Sequence, residues 1–184
     1  MPVSDFQKKK LLHLFHTFFD TNKNGTIDKK DFDMALERVT AMRKMTSGDA
    51  KHKEVQENLA YVWEHLKQVA DRDNDGTVSE QEWLKMWEEA TGSQKQPPWV
   101  HRYQSFLFEA EDVSGDGKID ETEYVQAYTQ FGLSADECRN AFKKLTASGE
   151  KEIDKKLFEQ RFNEFVMSTD PSAAGNYLFG KAAY

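Results

Sequence analysis

The chain is 184 residues long, carries a formal net charge of −7, and is 38% hydrophobic. That length suffices for one domain or two packed lobes, and the acidic balance disfavours nucleic acid or an anionic membrane as a partner. No apolar run approaches a membrane span, MPVSDFQKKK lacks the apolar stretch of a secretory signal, and the single Cys138 forms no internal disulfide, which together point to the cytosol. The 13 Phe, 6 Tyr and 4 Trp are the main core material.

In chain order, Ser4 with Gln7 reads as a capping box opening a helix whose apolar stripe is Leu11, Leu14, Phe15 and Phe18. The polar segment DTNKNGTIDKKD (Asp20 to Asp31) follows, then a helix with Phe32, Ala35, Leu36 and Val39 inward. The stretch around Met42 to Ala50 must hold an extended helix or an added turn. A helix with Leu59, Val62, Trp63 and Leu66 leads into DRDNDGTVSEQE (Asp71 to Glu82), and Trp83, Met86, Trp87 and Ala90 line the helix after it. TGSQKQPP (Thr91 to Pro98) disfavours helix and marks a break, with Pro98 suited to the first turn beyond it.

Tyr103, Phe106, Leu107 and Ala110 precede a third polar segment, DVSGDGKIDETE (Asp112 to Glu123), and Tyr124, Ala127, Tyr128 and Phe131 follow it. Ser134 with Glu137 reads as a second capping box. A fourth unit shows only by its frame: Ile153 matches Ile27, Val78 and Ile119, and Phe158 matches Phe32, Trp83 and Tyr124. That frame puts Thr146 at position one, Lys151 at six and Leu157 at twelve, between helices carrying Phe142 and Leu145 before and Phe158, Phe162 and Phe165 after. Cys138, Met34, Met42, Met45 and Met86 read as ordinary core, and the five histidines show no convergent metal spacing.

Each of the three polar segments has an acid at position one, side-chain oxygens at three and five, Gly at six, a β-branched residue at eight and an acid at twelve. That is the EF-hand pattern. Calcium takes six to eight oxygens, and a twelve-residue loop offers side chains at one, three and five, the carbonyl of seven, nine through water, and a bidentate acid at twelve. In the second loop these are Asp71, Asp73, Asp75, the Thr77 carbonyl, Ser79 and Glu82; in the third, Asp112, Ser114, Asp116, the Lys118 carbonyl, Asp120 and Glu123. The first has Asp20, Asn22, Asn24, the Thr26 carbonyl, Asp28 and, at twelve, Asp31 in place of Glu. Aspartate is one methylene shorter, so the first loop is expected to form a smaller site of mixed calcium/magnesium preference. Three divalent ions, six positive charges, would bring −7 to −1, and their binding should stabilise the fold. The fourth loop is expected to hold no ion.

The expected fold is all-α: four EF-hand units in two packed pairs, with short antiparallel contacts of Ile27 with Val78 and of Ile119 with Ile153. The expected organisation is an N-terminal pair over residues 1–92, a C-terminal pair over 98–168, and a tail over 169–184 packing Tyr177, Leu178 and Phe179 on the core.

Three metal-competent units, a silent fourth, the long first-to-second spacing, FFDTNKNGTID, EWLKMWEE (Glu82 to Glu89) and the tail GNYLFG (Gly175 to Gly180) resemble the invertebrate sarcoplasmic calcium-binding proteins, and among them the calexcitin-like proteins. The likeness covers essentially the whole chain and implies a two-lobed helical monomer. The insect branch of the group includes proteins described as juvenile hormone diol kinase, so the resemblance also implies, as an alternative, phosphorylation of a juvenile hormone diol with ATP or GTP and magnesium. The residues offer little for that chemistry. Gly175 to Ala182 approaches the phosphate-cradle pattern G-x-x-x-x-G-K-[ST], yet Ala182 replaces the hydroxyl, no strand precedes it and no helix can follow. Three classes stay open from sequence: a calcium buffer or signalling protein, a sensor that opens a groove for a target helix, and an enzyme acting on a small apolar alcohol.

Overall fold

The structure, a computed structural model, describes residues 3–146, 151–181 and 183–184. The chain divides into two units, one holding Leu11–Phe106 and the other holding Ser4–Lys10 together with Leu107–Tyr184. The Thr91 to Pro98 segment lies inside the first unit, and the division falls within a helix, between Phe106 and Leu107. Among the described residues no helix is long and apolar enough to cross a membrane.

In the first unit, the C-terminal end of α1 (Asp5–Leu14) runs into a π-turn, Phe15–Phe19, before the first loop. β1 (Thr26–Ile27) and α2 (Lys29–Met42) follow, then α3 (Ala50–Ala70), β2 (Val78–Ser79), α4 (Glu80–Ser93) and the start of α5 (Val100–Glu111). β1 and β2 pair antiparallel with Ile27 opposite Val78, the expected register. The stretch after Met42 is an added turn, in which the Met45 N–H returns to the Thr40 carbonyl at 2.8 Å, followed by the 21-residue α3.

The π-turn is a departure from the periodic stripe. The Asp20 N–H reaches back five residues to the Phe15 carbonyl at 2.8 Å, so one extra residue is accommodated in the turn. Phe15, Phe18 and Phe19 are all buried as a result, whereas a regular helix stripe accounts for the first two only. Phe19 packs on Trp83, Trp99 and Tyr103 with ring centroids 4.8, 5.6 and 4.4 Å apart. Trp83 also donates its indole N–H to the Leu11 carbonyl at 2.9 Å. Truncating one such aromatic typically destabilises by about 3–5 kcal/mol, so this cluster is the anchor that positions both loops of the unit.

The second unit contains the remainder of α5, β3 (Lys118–Ile119), α6 (Glu121–Thr129), α7 (Ala135–Leu145), β4 (Ile153–Asp154), α8 (Lys155–Met167) and a 3₁₀ turn, Ala174–Tyr177. Here too the pairing is the expected one, with Ile119 opposite Ile153. The Ser4 and Gln7 capping box forms in both directions, but at Ser134 only the Glu137 N–H to Ser134 Oγ half is made. The tail is seated: Leu178 and Phe179 are fully buried, and the Phe179 ring lies 4.7 Å from that of Phe165. Gly175 is needed for this approach, because a Cβ there would lie 2.4 Å from the Arg161 carbonyl oxygen and from Glu164 Cβ. Lys10, from the short N-terminal part of this unit, is fully buried. Its ammonium donates to the Ser168 carbonyl at 2.9 Å and to Asn176 Oδ1 at 2.8 Å, and it sits over the Phe6 and Phe165 rings. Burial of Cys138 and Met86 agrees with a core role, but Met34 is solvent-exposed on the outer face of α2, and Met42 and Met45 are half-buried. The i, i+2 offset of Met34 from Phe32 turns it away from the buried stripe.

Candidate metal centres

Each loop is organised by its first and last acid. In the first, Asp20 is almost fully buried and accepts the Asn24 N–H at 3.0 Å and the Gly25 N–H at 2.9 Å. Asn22 Oδ1 accepts from Asn24 N and Asn24 Oδ1 from Thr26 N, which folds the ligand positions into a chain of short turns. Asp28 caps α2 by accepting the Lys30 N–H at 2.6 Å. Asp31, at twelve, uses both oxygens: Oδ1 accepts from Asn22 N at 3.0 Å and Oδ2 from Asp28 N at 2.8 Å. Burial, together with the Asp28 and Asp20 charges, pushes the Asp31 carboxyl up against the pull of those two N–H groups.

The second loop is similar, with its last acid reaching position two instead of three. Glu82 Oε1 accepts from Arg72 N at 2.9 Å and Oε2 from Ser79 N at 2.9 Å. Burial opposes ionisation of Glu82, but the Ser79 and Arg72 N–H groups outweigh it and hold the carboxyl below its ordinary range. Asp73 accepts from Asp75 N at 3.1 Å and Asp75 from Thr77 N at 2.8 Å. Asp71 accepts the Gly76 N–H through Oδ2, while its buried Oδ1 has no hydrogen-bond partner. One carboxylate oxygen each from Asp71, Asp73 and Glu82 lies within 4.8 Å of the others. Three converging acidic oxygens repel each other unless a cation joins them, and with the carbonyl of seven and water they can contribute to the oxygen shell calcium takes.

In the third loop, Asp112 accepts from Gly115 N at 2.8 Å and Gly117 N at 2.9 Å. Asp116 accepts from Lys118 N at 2.9 Å. Glu123 bridges Ser114 N at 2.8 Å and Asp120 N at 3.2 Å, and Asp120 returns the bond by accepting from Glu123 N. Among the described residues of the fourth loop, the helix cap persists, Leu157 N to Asp154 Oδ1 at 2.8 Å. Thr146 turns its hydroxyl back to the Phe142 carbonyl, and neither Thr146 nor Leu157 supplies a carboxylate. The part of this loop over residues 147–150 lies outside the described residues.

Two features escaped the sequence reading. Position four is left-handed as well as position six: Lys23, Asn74 and Gly115 have φ of 58°, 59° and 74°, beside 90°, 88° and 85° at Gly25, Gly76 and Gly117. The signal was Asn74 and Gly115, residue types that tolerate this region. The second is Glu111, buried next to Asp112; burial pushes its carboxyl up to about 8, opposed by the Tyr128 hydroxyl that donates to it at 2.6 Å. Its place at the end of α5 carries no sequence mark of burial. The Gly175 to Lys181 stretch does not form a phosphate cradle: the Gly175 N–H goes to Glu164 and the Gly180 N–H to the Tyr124 hydroxyl. The Tyr124 hydroxyl itself donates to the Tyr177 carbonyl.

The chain is 33% identical to sarcoplasmic calcium-binding proteins I, III and IV of Branchiostoma lanceolatum, over 97% of its own length and 98% of theirs. It belongs to the sarcoplasmic calcium-binding protein family. Calexcitin-1 of Caenorhabditis elegans is 31% identical, with 97% of this chain and 88% of that protein covered. The solved structure of an amphioxus sarcoplasmic calcium-binding protein superposes with a TM-score of 0.87 at 31% identity, covering 97% of this chain and 98% of the other. The EF hand profile matches residues 17–36 and 68–87. Within this sarcoplasmic calcium-binding protein homologue, the first acid of the third loop accepts the N–H of the glycine at six as in both matched loops, and its last acid makes the contacts seen in the first.

Proposed function

We propose that the chain is a cytosolic calcium-binding protein that holds ions in three loops and acts as a buffer or in calcium signalling. Residues Asp20, Asn22, Asn24, Thr26, Asp28 and Asp31 would hold the first ion, Asp71, Asp73, Asp75, Thr77, Ser79 and Glu82 the second, and Asp112, Ser114, Asp116, Lys118, Asp120 and Glu123 the third. The observation that carries this reading is the convergence of Asp71, Asp73 and Glu82 within 4.8 Å beside the unpartnered Asp71 Oδ1. The first site is the one that would accept magnesium, through the shorter Asp31.

A buffer fits the second unit better than a sensor that opens a groove. The apolar surface a target helix would need is occupied by Leu178 and Phe179 of the chain's own tail. Among the described residues Met34 and Val113 are the exposed large hydrophobic side chains, too little to drive self-association, which supports a monomer. Native mass spectrometry in calcium tests the reading directly: three ions per chain are expected, and four ions or none would overturn it.

A further inference from the structure

We propose that Glu152, in the ion-less fourth loop, is a positioning residue for the third: it holds the Lys118 ammonium away from Asp116. The inference rests on reading Asp112 to Glu123 as a calcium site. Position seven supplies a carbonyl to the ion, and its side chain is Thr26 in the first loop and Thr77 in the second, both neutral. In the third loop it is Lys118, an exposed cation beside a site whose other side chains are Ser114 and four acids. Counting from Thr146, Glu152 is the seventh residue of the fourth loop. In the β3–β4 ladder Lys118 lies opposite Asp154 and Ile119 opposite Ile153, so Glu152, two residues before Asp154, is the diagonal neighbour of Lys118 on the same face, within reach of a long side chain. The Lys118 ammonium meets Glu152 Oε2 at 2.5 Å.

The alternative partner for that ammonium is close. Asp116 is two residues away, its carboxylate already accepts the Lys118 backbone N–H, and both Asp116 and Asp154 act electrostatically on the Lys118 side chain. Asp116 is a ligand position. An ammonium resting on it would neutralise one acidic ligand and repel the arriving ion, and ligand charge tunes the affinity of such loops. Glu152 removes this competition by offering a full carboxylate immediately before the neighbouring strand. The pair is about half exposed on both sides, so the effect is modest and salt-sensitive. The fourth loop, having no ligands of its own, thus contributes to binding through one acid.

The test is a double-mutant cycle in the full-length protein, read by calorimetric calcium titration at low salt, with the Glu123→Gln variant identifying the third-loop step. Glu152→Gln is expected to weaken that step about three-fold, Lys118→Met to strengthen it, and Glu152→Gln to have no further effect once Lys118 is Met. The weakening should shrink as salt is raised. An unchanged third-loop step in Glu152→Gln would overturn the inference. So would the same loss in the Lys118→Met background, since it would mean that Glu152 acts on loop structure and not through the ammonium. If Glu123→Gln removes no step at all, the assignment of the loop fails, and the inference falls with it for that separate reason.

Discussion

Asp31 reaches across the first loop to Asn22, accepting its N–H at 3.0 Å while the other carboxylate oxygen accepts the Asp28 N–H at 2.8 Å. Glu123 makes the same pair of contacts to Ser114 and Asp120 with one more methylene, and Glu82 a similar pair, to Arg72 one position earlier and to Ser79. Asp31 thus makes with a shorter side chain the contacts to positions three and nine that Glu123 makes in the third loop. With both oxygens engaged and one methylene less reach, Asp31 is less able to offer a bidentate ligand, and a lower coordination number favours the smaller, octahedral ion. Magnesium at millimolar concentration should therefore displace calcium from the first site before the other two, and Asp31→Glu should reverse that order. Competition titrations in which the wild-type first site ignores magnesium would show the argument from side-chain length to be wrong.

Glu82→Gln and Glu123→Gln each remove the charge of the last acid while keeping an amide oxygen that can still accept the N-cap N–H of the capping box. Each should weaken calcium at its own loop by about an order of magnitude or more, leaving the other loops nearly unaltered. Calorimetry on the single variants checks this. A wild-type titration curve from either would refute the corresponding ligand set.

The tail should be a structural part of the second unit. Gly175→Ala places a methyl group 2.4 Å from the Arg161 carbonyl, which the α8 backbone cannot yield, and overpacking of this kind typically destabilises by about 1–3 kcal/mol. Phe179→Ala, at a fully buried position, should lose about 3–5 kcal/mol. Both should raise hydrophobic-dye binding and speed proteolysis after Ser168. Native-like dye binding and protease resistance in both variants would mean that the tail does not support the core.

Burial lowers the Lys10 ammonium from 10.5 to about 8. Because the folded value lies below the unfolded one, the unfolded chain binds more protons between the two. The contribution of Lys10 to stability is therefore constant below pH 8, rises from pH 8 to 10.5, and is flat beyond. The hydrogen bonds to Ser168 and Asn176 hold part of the charge in place, so the rise should be about 1–3 kcal/mol. Tyr124 and Tyr184, whose hydroxyls burial pushes well up, act oppositely near pH 10, and the comparison belongs below that. Urea unfolding of the wild type and of Lys10→Met at pH 7.5 to 9.5 measures it: the wild type should gain on the variant as pH rises, and parallel profiles would show that Lys10 is not titrating in the fold.

What the sequence determined by itself was the repeated frame of the loops and helices. The ligands of each loop, the glycine at six and the acid at twelve sit on one continuous segment, so their spacing alone defines the turn and the oxygens it presents. The β-branched residues at eight specified both ladders, because Ile27, Val78, Ile119 and Ile153 occupy one repeated place. Helical period likewise marked the stripes that became the core. The tertiary structure decided what depends on residues far apart in the chain. The π-turn that inserts Phe19 among Trp83, Trp99 and Tyr103 answers to the shape of that cluster, and nothing local in FHTFF announces it. Lys10 reads as one more lysine in a run of three, and only the arrival of Ser168 and Asn176, more than 150 residues later, makes it a buried ammonium. Glu152 reads as a remnant of a dead loop until the ladder brings Lys118 to it. Local geometry follows from steric rules that any short segment carries with it, whereas burial and charge pairing are set by whichever distant surface the chain folds against.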